Sequence, residues 1–151
     1  MPDNTLEFLT QNDWVLISAK AARRTFSRGE EIIKEGARGE GLFIVRKGTA
    51  SVVLSSAGAD APLAQLGPGD ICGDMAFLEK GKATASVIAA EPVEAEMIPT
   101  AELEKLFESF PGLAARFYRS LAVVLGRRLR DTSARLGREY GRAGRQGPVS
   151  S

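Results

Sequence analysis

The chain of 151 residues contains no histidine and a single cysteine, Cys72. Without histidine, the commonest general base and the commonest metal ligand are missing, and with them every Ser-His-Asp or Cys-His arrangement. One cysteine allows neither an internal disulfide nor a thiolate metal cluster. Long apolar runs are also missing. None approaches the roughly 20 residues of a membrane span, and Met1 to Thr10 lacks the basic-then-apolar shape of a secretory signal. No pair of carboxylates stands out as acid and base, and Glu30, Glu31 and Glu35 read as solvated loop charges. These absences lead to the expectation of a cytoplasmic protein that is not an enzyme.

What is present is enough for one soluble domain: 44% of the residues are hydrophobic and 26% charged. Charge is unevenly placed. From Leu113 to the end, nine arginines face only Asp131 and Glu139, a local balance of +7, so with +1 for the whole chain the rest carries −6. An acidic body with a basic tail results.

Along the chain, 4–19 reads as short helical material, with Asn4 or Thr5 capping a first turn and Asn12 a second that carries Trp14, a packing anchor. From Ala21 the rhythm is that of strands. Phe26 to Ile33 turns between two apolar points, and Glu35 to Gly41 is a glycine-rich loop. Leu42-Phe43-Ile44-Val45 is a continuous apolar strand that Arg46-Lys47-Gly48 folds back as a hairpin onto 49–54. Ser55 to Ala61 is the expected flexible tip, and 85–90 and 93–98 are two further strands. Short strands with glycine turns at steady spacing indicate a small all-β roll. Thr100 then caps a helix carrying Leu103, Leu106 and Phe107, which Phe110-Pro111-Gly112 breaks. The last helix, 111–138, has one apolar stripe of Leu113, Phe117, Leu121, Val124, Leu125 and Leu129, with arginines on the rest. Residues 139–151 form a Gly/Arg tail expected to be disordered.

The stretch that organises the chain is Gly67-Pro68-Gly69-Asp70-Ile71-Cys72-Gly73-Asp74-Met75-Ala76-Phe77-Leu78, followed by 83–89. A glycine lets backbone approach a ligand closely, and a helical turn opens free N–H groups toward it, so these residues read as a pocket for a small anion. The backbone N–H groups of Ala76 and Phe77 are its side-chain-independent donors. Cys72, just before the pocket glycine, reads as a small buried hydrophobe.

This run resembles the phosphate-binding cassette of the cyclic nucleotide-binding domain family, F-G-E-x-A-L-L, a short loop, then R-[TAS]-A-[ST]-V. The segment 29–48 is similar to the start of that family's β-roll, and the resemblance covers about 9–136. It implies an α+β fold, mainly β: an antiparallel β-roll or jelly roll over about 21–98, with short N-terminal helices, a one-turn cassette helix and two C-terminal helices over about 100–138, all in a single domain over 1–138. It also implies a cAMP or cGMP ligand at Gly73, Asp74, Met75, Ala76, Phe77, Lys82, Ala83 and Thr84. Asp74 falls where the family's glutamate grips the ribose 2′-hydroxyl. Ala83 falls on the arginine that pairs with the cyclic phosphate, and a methyl group offers neither charge nor a fork of donors. Lys82 is a neighbouring cation, but alternation along a strand aims it to the other face. Lys82, Arg46 and the arginines of the last helix are the candidate replacements.

Two functions follow. The first is a non-enzymatic regulatory sensor whose cyclic nucleotide is bound weakly. The alternative is a nucleotide-free module that dimerises through the helix 113–136, binds a partner, or holds another small anion or apolar ligand. DNA contact is not expected, because too few residues follow Gly137 for a winged helix-turn-helix domain.

Overall fold

A computed structural model describes residues 6–55 and 62–146. The cap expected at Asn4 or Thr5, most of the tip at 55–61 and the last five residues lie outside the described residues. Eight antiparallel strands form two four-stranded sheets. One sheet has the order β1 (Ala22–Phe26), β8 (Val93–Pro99), β3 (Gly41–Lys47), β6 (Ile71–Cys72). The other has the order β2 (Glu31–Ile33), β7 (Ser86–Ala89), β4 (Ala50–Val53), β5 (Ala64–Leu66). Four helices, α1 (Gln11–Ser18), α2 (Asp74–Glu79), α3 (Thr100–Ser109) and α4 (Pro111–Gln146), complete an α+β fold that is mainly β.

The unbroken apolar run at Leu42–Val45 has a simple cause. Successive side chains of a strand point to opposite faces, and β3 is buried on both. Phe43 and Val45 enter a core between the two sheets with Phe26, Val87 and Ala95. Leu42 and Ile44 enter a second core beneath the helices with Trp14, Leu103 and Phe117. Trp14, at 8% exposure, is the packing anchor its position implied.

The expected hairpin after Val45 does not pair. Both edges of β3 are taken, by β8 and by β6, so β4 joins β7 and β5 in the opposite sheet. The turn at Arg46-Lys47-Gly48 therefore carries the chain between sheets. Gly48 makes it with φ +84°, and a Cβ there would run into the Pro92 carbonyl oxygen.

Two helix starts also differ from expectation. The cap of α1 is Thr10, not Asn12: its hydroxyl accepts from the Asp13 N–H while Asp13 accepts from the Thr10 N–H, a capping box. In α3, Thr100 is already helical, with the extended Pro99 before it and no side-chain cap; the Thr100 N–H donates to the Glu40 carbonyl at 3.3 Å instead. Glu102 does lie in the first turn. Pro111 opens α4 as expected, but α4 runs to Gln146, eight residues past Arg138 and into the expected tail.

α4 is fixed to α1 by a fork. Arg116 donates from Nε to Asp13 Oδ2 at 2.6 Å and from a terminal nitrogen to Oδ1 at 2.8 Å, and Asp13 is 2% exposed. These bonds, together with the capping box and against the cost of burial, hold the Asp13 carboxyl below its ordinary value of 3.8. A depressed carboxylate stabilises the fold above its unfolded pKa and ceases to do so as pH falls through the folded one. Asp13→Asn is thus expected to lower the urea midpoint at pH 7, and the gap to the unsubstituted chain should close as pH drops below about 4. A gap that stayed constant from pH 7 to pH 2.5 would mean that the carboxylate charge contributes nothing.

Candidate functional site

The cassette begins with a tight turn. Asp70 accepts from the Gly67 N–H at 2.8 Å, its own N–H returns to the Gly67 carbonyl at 3.0 Å, and Gly69 takes φ +92°. β6 then pairs briefly with β3, and Gly73 turns the chain into α2 with φ +84°. A Cβ on Gly73 would lie 2.6 Å from the Gly41 carbonyl oxygen. Gly73→Ala is therefore expected to cost at least about 2 kcal/mol, from the left-handed backbone and the collision together. Urea unfolding measures it, and an unchanged midpoint would show that the turn relaxes freely.

A cavity of about 210 Å³ opens beside this turn. Six of the eight expected residues line it: Gly73, Asp74, Met75, Ala76, Ala83 and Thr84. Apolar walls come from Ile33, Val52, Ala64, Leu66, Ile71 and Val87. Phe77 and Lys82 are not on its surface. Phe77 is 6% exposed and packs against Phe107, Phe117 and Tyr118, on the side of α2 turned away from the cavity that Asp74, Met75 and Ala76 line. Its N–H donates to the Gly73 carbonyl at 3.1 Å, closing the first turn of α2, so it is not the open donor the sequence implied. Lys82 is exposed, and its backbone forms an isolated antiparallel β-bridge with Arg38.

Ala83 sits on a fixed backbone. Its N–H donates to the Ala37 carbonyl and its carbonyl accepts from the Gly36 N–H, both at 2.8 Å. It also borders a larger depression of about 530 Å³, lined by Arg24, Glu30, Glu31, Lys34 and Arg38. Cys72 is 5% exposed, and burial pushes its thiol up to about 12, with the charge of Asp74 adding to the effect. It is the inert small hydrophobe expected at that position.

The residue that sequence reading did not single out is Arg128. It reaches the cavity from α4 and donates to Asp74 Oδ2 at 2.9 Å and to the Ile71 carbonyl oxygen. The Asp74 side chain is only 5% exposed, so its carboxylate is balanced by this guanidinium. A signal was available. Arg128 lies seven residues after Leu121 and four after Val124, both buried, so it stands on the inward stripe of α4. The other named cation, Arg46, pairs with Glu96 at 2.8 Å between β3 and β8 and is not on the cavity wall. Farther along α4, Leu129 and Leu136 are 68% and 48% exposed.

Among the described residues, no group of three or more Cys, Asp and Glu side chains is arranged to hold a metal ion. No helix among them is long and apolar enough to cross a membrane.

Comparison with known proteins adds an independent line. Residues 23–110 match the family model described as cyclic nucleotide-binding domain. The cyclic AMP receptor protein of Thermus thermophilus is 31% identical over 115 residues, 76% of this chain and 51% of the receptor. Glutaminase 2 of Bradyrhizobium diazoefficiens is 34% identical over 113 residues, 75% of this chain but only 18% of that protein. The chain thus spans about half the length of the first relative and under a fifth of the second. Among solved structures, the Thermus thermophilus catabolite activator protein superposes with a TM-score of 0.71 at 28% identity, covering 88% of this chain and 61% of that one.

Proposed function

We propose, since the chain belongs to the cyclic nucleotide-binding domain family, that it is a non-enzymatic regulatory sensor whose cavity takes a cyclic nucleotide, cAMP or cGMP, weakly. The carrying observation is the cavity itself, which gathers Gly73, Asp74, Met75, Ala76, Ala83 and Thr84 from two separate stretches of chain. Asp74 offers an acceptor for a ribose hydroxyl, Thr84 a hydroxyl, and the apolar walls a surface for a base. Weakness follows from Ala83. A charge-assisted fork to phosphate contributes a few kcal/mol, about a hundredfold in affinity, and position 83 of the cassette supplies none. A cytoplasmic setting and an output through α4 belong to the same proposal.

The Asp74–Arg128 pair favours a second reading, in which the roll keeps its shape without a nucleotide. With Arg128 drawn onto Asp74, the charge on the cavity wall is balanced within the protein, and Leu129 and Leu136, one heptad apart, offer an apolar seam to a second copy. Calorimetric titration with cAMP and cGMP separates the two, with light scattering on the same samples. Micromolar or tighter binding supports the sensor. Silence toward both nucleotides, with a dimer in solution, supports the second reading.

A further inference from the structure

We propose that Arg128, reaching the cavity from α4, supplies the positive charge for a bound cyclic phosphate that the cassette lacks at Ala83, in the loop before β7. The inference rests on the sensor reading above and names how that site would hold its anion.

Among the described residues, Arg128 is the one cationic side chain on the wall of the cavity that Ala83 and Thr84 also line. Lys82 is not on that wall, and Arg46 is engaged with Glu96. The guanidinium is held by two neighbours on the same wall. Asp74, 5% exposed, accepts one of its N–H groups and the Ile71 carbonyl another, while the Arg128 side chain itself stays 39% exposed. A guanidinium has five N–H donors in a rigid fork. The Asp74 and Ile71 bonds use two of the five, and the guanidinium lies on the cavity wall, so it keeps donors for a further acceptor. Asp74 and Arg128 cancel, and a cyclic phosphate brings one negative charge, so the site needs its cation to serve both anions at once. Arginine does this where lysine, a point charge, does so less well. One consequence separates this arrangement from a cassette arginine: the phosphate would be tied to α4, and ligand would restrain that helix directly.

The test is calorimetric titration of the full chain with cAMP and with adenosine, which carries no phosphate. It compares the unsubstituted chain with Arg128→Gln, Ala83→Arg and the double variant. Arg128→Gln is expected to lower cAMP affinity at least tenfold and leave adenosine within twofold. In the Ala83→Arg background, where a cassette arginine meets the phosphate, the same substitution should cost less than threefold. If the unsubstituted chain binds cAMP and Arg128→Gln binds it equally or more tightly, Arg128 is a plug and not a ligand, and the inference falls while the sensor reading stands. If only Ala83→Arg binds, the inference falls and the cavity remains a cassette lacking one contact. Silence from both overturns the two together. Should Arg128→Gln fail to fold, Arg128→Lys keeps the charge and loses the fork. A loss confined to cAMP supports the inference, and equal losses for cAMP and adenosine overturn it.

Discussion

Ala83→Arg is expected to raise the affinity for cAMP or cGMP by a hundredfold or more. The side chain would leave a backbone pinned by two 2.8 Å hydrogen bonds, to Gly36 and Ala37, so its direction is set before ligand arrives. There is room for it, because Ala83 borders the 210 Å³ cavity on one side and the larger depression on the other. A bidentate charge-assisted contact to phosphate contributes about 3 kcal/mol in a partly enclosed site, and each 1.4 kcal/mol is a factor of ten. Titration at low and high salt checks the origin of the gain, which should shrink as salt screens the new charge. An unchanged affinity would mean that position 83 does not face the phosphate, and the correspondence with the family's arginine would then be wrong.

Phe117→Ala is expected to be the most destabilising single truncation. Phe117 is fully buried on α4 and touches the rings of Phe77, Phe107 and Tyr118 at centroid distances of 6.0, 5.1 and 6.0 Å. Removing a ring from such a place costs about 3–5 kcal/mol through lost burial and the cavity left behind. That is a large part of the 5–15 kcal/mol that holds a typical domain together. Urea unfolding should show a much lower midpoint with an unchanged slope. Phe117→Leu, which keeps most of the volume, should cost roughly a third as much. Because Phe77 belongs to α2, the truncation should also weaken any ligand at Gly73 and Asp74. Equal midpoints for the Ala and Leu variants would show that ring packing is not what joins α2 to α4.

Much of this molecule was legible before its structure. The glycine turns and the two-faced apolar run at Leu42–Val45 announced a roll, because strand alternation and backbone freedom are local properties. Pairing is not local. The turn at Gly48 was visible, but not that β8 and β6 would occupy both edges of β3 and send β4 to the other sheet. Thr10-x-x-Asp13 is a capping pattern present in the sequence, two residues before the cap expected at Asn12. The extension of α4 past Gly137 shows that isolated glycines weaken a helix without ending it. Six of the eight residues expected at the site line one cavity, and two do not. Phe77 and Lys82 lie next to lining residues in sequence and point elsewhere in space. Arg128 was hidden for the opposite reason. It is 54 residues from Asp74, and a charged residue on an apolar stripe is easily read as the end of the stripe.

α4 is a single helix of 36 residues, held near its start by Asp13 and at its middle by Asp74. From Arg128 to Gln146 it continues for about 27 Å at 1.5 Å per residue. Under the sensor proposal it would act as a lever with its fulcrum at the cavity. A tilt of about 10° where Arg128 meets Asp74 would sweep the far end through about 5 Å, given that length. An event the size of one ion pair would then become a displacement that a neighbouring molecule can feel.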